Sequence, residues 1–436
     1  MDATVFSLQY GYPLTAYASL AQPLLLLNSV NRLVSTNELA NPSNEIIIRP
    51  NDDTIYASTV YDLSERNVEI TVPDIGLDRY WSVTEFDPFG ENWAVIGYTN
   101  NNTGGQYLLR RAYTGGSCDS KYQGCVNSPT TDGTLLQRVL VKDNGSDLTY
   151  VQGVIRGTKT VEVNRTSTCK DFAATPLTND TFAGLPNDTA LAILELLARL
   201  EQNNPPSDTN LTGYVDSQLR AAGIRDGKYR KPPGVNITEA ALKFQANLEN
   251  YAATGAQALG NGWERYVPQG TYGSDYTARA FAVFGYLENR ETQALYPQYG
   301  ESNFNLNDDE AYLYTFSSKP PLGDGGFWSL TMYNSSGFFV ANPKNVYAVG
   351  DRSNITYANG DLVCGVNSSA TENESFQILV QSYDVAPPSN WTANWLPAPA
   401  GGASFSVTLR FYVPTDALVN GGWTYPIMTK TSAKRG

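Results

Sequence analysis

The chain predicts an α+β fold: two β-rich domains of sandwich or jelly-roll type, a helical section between them and a short helical segment at the N-terminus. Three observations carry that prediction. Short runs rich in β-branched and aromatic residues, separated by Gly, Asn, Asp and Pro clusters, extend from Glu45 to about Val163 and return from about Ala311. Between them the string ALAILELLARL, Ala190–Leu200, repeats apolar side chains at helical spacing. No glycine-rich nucleotide loop, EF-hand loop or fixed-period repeat points to another architecture. The expected division is 1–40 for the N-terminal helical segment, 41–175 for the first β-rich domain, 176–300 for the helical section and 301–436 for the second β-rich domain.

In chain order, Phe6 to Leu33 is rich in Leu and Ala and reads as one or two helices, with Pro13 and Pro23 starting or breaking turns. The first β region offers strands at Glu45–Ile48, Thr54–Tyr61, Val68–Val72, Tyr80–Phe86, Trp93–Tyr98, Leu135–Val141 and Leu148–Ile155. Helices are expected at Ala190–Leu200, with Asn187-Asp188 as cap, then at Ser207–Ala222, Thr238–Leu259 and Thr277–Leu287. Strands resume at Tyr312–Phe316, Trp328–Tyr333, Phe338–Ala341, Phe376–Gln381 and Ser404–Tyr412.

Composition excludes whole classes of chemistry. The 436 residues contain no histidine, which removes a Ser-His-Asp triad, a Cys-His dyad, a His-ligated zinc and a non-heme iron facial triad. A net charge of −13 repels phosphate backbones and anionic membrane faces, so nucleic acid and membrane are not expected partners. Sequons occur at Asn101, Asn144, Asn164, Asn179, Asn187, Asn210, Asn236, Asn334, Asn354, Asn367, Asn373 and Asn390, an excess that points to a glycosylated, secreted or secretory-pathway protein. Four cysteines agree with that compartment. Cys118 and Cys125 are close enough in sequence to pair locally, which leaves Cys169 with Cys364; the other two pairings and free thiols stay open. Met1-Asp2-Ala3 has no basic n-region, Leu20 to Leu27 is too short to span a bilayer, and no later segment reaches that length, so a soluble protein is expected.

Two groups of motifs carry a family resemblance. Ile46-Ile-Ile-Arg-Pro-Asn-Asp-Asp-Thr-Ile-Tyr56, Tyr61-Asp62-Leu63 and Asp78-Arg79-Tyr80-Trp81-Ser82 resemble domain of unknown function 1254, and Tyr10-Gly11-Tyr12-Pro13 fits its usual start. Tyr272-Gly273-Ser274-Asp275-Tyr276, Arg279-Ala280, Pro320-Pro321, Phe327-Trp328-Ser329-Leu330-Thr331-Met332-Tyr333 and Asn394-Trp395-Leu396-Pro397-Ala398-Pro399 resemble its companion, domain of unknown function 1214. The resemblance implies two β-rich domains with helices between them and no settled activity.

The residues that offer chemistry fall into groups. Arg49, Asn51, Asp52 and Tyr56 form a polar lip where a loop enters a strand. Asp52 and Asp53 should diverge in extended chain, and the plainer reading is a loop whose Asn and Asp cap their own backbone. Tyr276 and Arg279 pair an acid with a carbonyl or anion clamp; the plainer reading is an Asp275–Arg279 ion pair on one helix face. Trp81, Trp328, Tyr333 and Trp395 are candidate ligand platforms, although such aromatics also build cores; Trp328 and Tyr333 should face opposite sides of a strand. Carboxylates cluster at Glu85, Asp87 and Glu91 and at Asp308, Asp309 and Glu310, loops that admit calcium or a glycosidase pair.

The leading expectation is a secreted enzyme without nucleotide or metal cofactor. It would dehydrate, isomerise or cyclise a small organic molecule in an aromatic inter-domain pocket, with Asp52, Tyr56, Tyr276 and Arg279 as catalytic groups and Arg49, Asn51, Trp81, Trp328, Tyr333 and Trp395 binding substrate. The alternatives are a carbohydrate-active hydrolase or lyase and a non-catalytic secreted binding protein. The sequence does not set the oligomeric state.

Overall fold

The computed structural model describes residues 1–27, 30–43, 49–112, 117–142, 145–165, 174–300, 303–365, 368 and 374–436. The expected strand Glu45–Ile48, Cys169 and the sequons at Asn144, Asn367 and Asn373 lie outside the described residues. The α+β expectation holds: two β-sandwiches and one helical layer make up the molecule.

The first sandwich pairs a five-stranded with a four-stranded sheet. Strands in the larger sheet run Val34–Ser35, Thr54–Asp62, Asp132–Leu140, Trp81–Phe86 and Asn92–Gly97; those in the smaller run Gly124–Ser128, Gly105–Arg111, Asn67–Val72 and Lys159–Val163. Alternate residues of each strand meet in the middle: Ile55, Ala57, Trp81, Val83, Leu135 and Val139 from one sheet, Val68, Ile70, Val72, Tyr107 and Leu109 from the other. The second sandwich is built likewise. Phe405–Pro414 and Leu322–Asn334 form the centre of its seven-stranded sheet, and Glu310–Phe316 and Phe376–Ser382 the centre of its four-stranded one. Trp328, Leu330, Met332, Val407, Leu409 and Phe411 pack on Tyr314, Phe316, Phe376, Ile378 and Val380.

The N-terminal segment does not stand apart. Helices Asp2–Gly11 and Pro13–Leu26 share one core with Thr189–Leu200, Thr212–Ala221, Ile237–Thr254 and Tyr276–Phe281. Gly11 permits that contact, because a Cβ there would lie 3.0 Å from Leu197 Cδ2 and 3.2 Å from Ile193 Cγ2. Pro13 opens the second helix and Pro23 sits within its last turns.

Several local readings change. Leu148–Ile155 is not a strand but the start of helix Leu148–Gly157: Val151, Val154 and Ile155 recur at helical spacing and bury together, which overrides their β-branched preference. The helix expected to Leu259 ends at Thr254, and Ala256–Gly260 turns back as a strand onto Trp263–Tyr266. Phe338–Ala341 makes only a bridge, Tyr333 to Phe339. Strands Gly105–Arg111, Gly124–Ser128 and Lys159–Val163 were not foreseen; their apolar alternation is interrupted by Arg, Cys, Asn and Glu. Cys118 and Cys125 form a disulfide with Cα atoms 5.5 Å apart, whereas Cys364 is a free thiol beside Trp328, so the expected bridge to it is not made.

Candidate functional site

The five-stranded sheet of the first sandwich and the seven-stranded sheet of the second present their outer faces to each other. Tyr56 stands directly across from Arg138, and Arg138 across from Ser82. On the second sandwich Phe327 opposes Tyr412, Ser329 opposes Arg410 and Thr331 opposes Thr408. Their sequence neighbours fill the two cores, so alternation sends these side chains outward. Between the sheets, the Phe327 and Tyr412 rings stack at 4.1 Å, and Tyr80 meets them edge-on at 5.6 and 4.9 Å. Tyr296 lies 6.4 Å from Tyr412.

Three guanidinium groups join this aromatic cluster. Arg138 donates to Asn289 Oδ1 at 3.0 Å and to the Leu287 carbonyl at 2.9 Å, with its guanidinium 5.8 Å from the Tyr56 ring. Arg410 donates through Nη2 to the Arg49 carbonyl at 2.9 Å and lies 5.4 Å from the Tyr333 ring. Arg49 donates to Thr408 Oγ1 at 3.0 Å and approaches the same ring at 5.8 Å. Tyr333 donates its hydroxyl to the Pro50 carbonyl at 2.6 Å, and the Asn51 amide donates to Tyr412 Oη at 2.9 Å. Arg138 and Arg410 are buried, while Arg49, Tyr56, Glu288 and Tyr296 are partly exposed, so solvent reaches the cluster.

The electrostatics favour protonated groups here. Burial pushes the Glu288 carboxyl up to about 7, against a hydrogen bond from Tyr272 Oη at 3.2 Å and the charge of Arg49. Burial also pushes the Tyr333 and Tyr296 phenols up to about 12, opposed by Arg410 and Arg138 respectively. Near neutral pH these phenols are hydrogen-bond donors, and Glu288 is poised to give or take a proton.

Backbone strain gathers at the same place. Among the described residues nine non-glycine positions have positive φ; six are Asn or Asp, which adopt it readily. The other three are Arg49 (φ 53°), Leu287 (71°) and Val413 (55°), and all border the cluster. A branched residue held in this region costs roughly 1–3 kcal/mol, and such positions concentrate at functional sites.

The segment 49–53 serves two sides at once. Arg49 and Asn51 turn to the cluster, while Asp52 and Asp53 both reach Arg352, at 3.4 and 3.0 Å. The expected divergence of the two aspartates fails because the chain is a bend here and becomes extended only at Thr54, with Asn51 Oδ1 accepting from the Asp53 amide at 2.7 Å. The motif is thus both a self-capping loop and part of a site. Burial raises the Asp52 carboxyl to about 7 and that of neighbouring Asp351 to about 8. A cavity of about 290 Å³ opens between the sandwiches, with Asp78, Leu140 and Lys142 on one wall and Lys319, Phe327, Trp328, Asp351, Arg352 and Cys364 on the other. Leu140 and Phe327 line it and also pack with Tyr80 and Tyr412 of the Arg/Tyr cluster.

Other candidates lie elsewhere. Arg279 does not pair with Asp275, which caps its own helix through the Ala278 amide. It sits 4.4, 4.7 and 4.9 Å from the Tyr10, Phe89 and Tyr276 rings, donates to the Tyr10 carbonyl, and belongs with Tyr276 to the helical layer, apart from Tyr56. Trp81 is core of the first sandwich, and Trp395 packs on Ala311 and Leu379 while donating to the Gln381 carbonyl. Trp328 is core on one side and cavity wall on the other; Tyr333 faces away from it, as strand parity requires. Asp87 accepts the Phe89 and Glu91 amides in a turn, Glu91 accepts the amide of distant Tyr272, and Glu310 pairs with Lys430. No group of three or more His, Cys, Asp or Glu that could hold a metal occurs among the described residues. A larger cavity, about 350 Å³, lies among the helices, where Glu201, Asp216 and Asp226 mix with Arg220 and Arg225.

Arg138, Tyr80, Glu288, Tyr296, Arg352, Arg410 and Tyr412 were not singled out beforehand. A signal existed for two of them: TLLQRVLV and SVTLRFYV each carry one arginine inside an apolar strand, where an unpaired charge is costly.

Two β-sandwiches joined face to face over an Arg/Tyr cluster and backed by helices define the class of molecule. Residues 30–162 match the family model described as Protein of unknown function (DUF1254), and residues 292–416 match Protein of unknown function (DUF1214). The chain belongs to the family that carries these two domains together. The crystal structure of the VPA0106 protein from Vibrio parahaemolyticus is similar to it over 99% of both chains, with 18% identity and a TM-score of 0.68, which establishes a shared fold. An uncharacterized protein from Burkholderia cenocepacia aligns over 99% of this chain and 95% of its own, with 12% identity and a TM-score of 0.48. Among curated proteins none matches.

Proposed function

We propose that this protein is an enzyme that performs acid–base chemistry on a small organic molecule held between the two sandwiches. The observation that carries the reading is the convergence of Tyr56, Tyr80, Tyr296, Tyr333 and Tyr412 with Arg49, Arg138, Arg410 and Glu288 on facing sheets, ringed by strained backbone. Rings bind the carbon skeleton, phenols donate hydrogen bonds, and Glu288 moves the proton in a dehydration, isomerisation or cyclisation. Of the residues first considered, Arg49, Asn51, Tyr56 and Tyr333 stay in this role; Asp52 supports the loop through Arg352. The test starts by incubating the protein with an extract of its source organism and identifying retained molecules by mass spectrometry. With that ligand as substrate, Glu288→Gln and Tyr56→Phe should each lower turnover by about 10²–10⁴-fold while melting temperature changes little. Unchanged turnover in both variants would remove the catalytic assignment and leave a binding protein.

The secretory compartment is part of the proposal. It is supported by the Cys118–Cys125 disulfide and by the sequons: of the nine described, Asn334 is half-buried and the other eight are exposed. No helix among the described residues is long and apolar enough to cross a membrane. Protein from a secreting eukaryotic host should lose mass on endoglycosidase treatment; retention of the bare-chain mass throughout would count against it.

A further inference from the structure

We propose that the inter-sheet cluster binds an oxyanion, the carboxylate or phosphate-type group of a small organic acid, between the guanidinium groups of Arg138 and Arg410. This rests on reading the cluster as the small-molecule site and names the class of ligand.

The chain is acidic, and its other buried arginines lie beside carboxylates: Arg79 by Asp147 and Arg265 by Glu291, with Arg111 in the field of Asp132 and Arg279 in that of Asp87 and Glu91; half-buried Arg352 likewise pairs with Asp52 and Asp53. Arg138 and Arg410 differ. Each is only 4–6% exposed, and among the described residues neither has a carboxylate at ion-pair distance. Their hydrogen bonds go to neutral acceptors, Asn289 Oδ1 and the carbonyls of Leu287 and Arg49. Arg410 Nη1 has no hydrogen-bond partner. Tyr333 is the foremost phenol beside Arg410, and Tyr56, Tyr296 and Tyr412 neighbour both arginines, so the two cations face one set of rings.

Two buried cations without a counter-ion repel each other and lack the compensation that burial of charge demands. An oxyanion with two or three acceptor oxygens supplies it, because each guanidinium presents a planar fork of donors suited to that shape. The stacked Phe327 and Tyr412 rings with Tyr80 give an apolar wall for the attached carbon skeleton. Partly exposed Tyr56 and Tyr296 mark where a ligand gains access.

The experiment uses the full chain, thermal melts and calorimetric titration. The probes are benzoate against its neutral counterpart benzamide, and inorganic phosphate against chloride at equal ionic strength. Benzoate and phosphate should raise the melting temperature and their counterparts should not. Arg410→Met should weaken benzoate binding at least about tenfold, and Arg410→Lys, which keeps the charge without the fork, should fall between. Arg138→Lys provides the same reading should Arg410→Met fail to fold. Equal stabilisation by benzoate and benzamide would overturn the anion while leaving the small-molecule site in place. An anion effect undiminished in Arg410→Lys and Arg138→Lys would place the anion elsewhere and overturn the proposal, as would no shift with any probe.

Discussion

Arg352 shows how one side chain ties the functional loop to the second sandwich. It binds the Asp52 carbonyl at 2.8 Å and both carboxylates of the Asp52-Asp53 pair, with Asp351 adjacent. Arg352→Met would strand these carboxyls in a poorly solvated place. Removing one partner of a buried pair costs about 3–5 kcal/mol when the other stays charged. The folded-state carboxyls of Asp52 and Asp351 already sit at about 7 and about 8, above their unfolded values, so they take protons as pH falls toward 5 and the need for Arg352 falls with it. Urea denaturation should therefore show a large loss of stability in Arg352→Met at pH 8 and a much smaller one at pH 5. Equal losses at both would mean that Arg352 acts by packing alone. At this scale Arg49, Asn51, Tyr56 and Tyr333 were legible because they lie in compact motifs. Arg138 was not, since what makes it unusual is its partner Asn289, 151 residues away, and that among the described residues no carboxylate lies at ion-pair distance from it.

Strand parity was the most dependable guide to single elements. Trp328 and Tyr333 differ by an odd number, the register between Phe327 and Asn334 is unbroken, and they face opposite sides as expected. The same rule places Tyr56, Arg138 and Arg410 on the outer faces of their sheets. Parity does not say what an outer face meets, and a face with Ser329, Thr331, Thr408 and Arg410 reads as solvent-exposed until the other sandwich covers it. Local preference failed where packing opposed it. In Leu148–Gly157 the apolar residues suit either period, and the seat for Val151, Val154 and Ile155 against the first sandwich selects the helix. Tyr276 and Arg279 share a helix with Asp275 as foreseen, yet the cap on Ala278 takes the carboxylate that the ion pair required.

Across the whole molecule, buried carboxyls set the response to pH. Burial raises Asp52, Asp87, Asp132, Glu201 and Glu288 to about 7 and Asp351 to about 8. A raised carboxyl binds its proton more tightly folded than unfolded, so its contribution is complete below about pH 4 and is lost as pH rises through 7 to 8. The net charge of −13 at pH 7 adds self-repulsion in the same direction. Melting temperature at constant ionic strength should fall from pH 5 to pH 8; a flat or rising profile would show that these carboxyls are ionised in the folded protein.

By itself, the sequence determined what depends on neighbours in the chain: the α+β class, the longer helices and many of the longer strands, the family, and the chemistry ruled out by the lack of histidine; it offered Cys118–Cys125 as one pairing among several. The tertiary structure alone decided that the N-terminal helices join the middle ones in one layer, and that two sheets close over Arg138 and Arg410. The physical reason is that periodicity encodes which side of an element is apolar. A site assembled from polar residues on opposing sheets has no period of its own and exists only once the sandwiches meet.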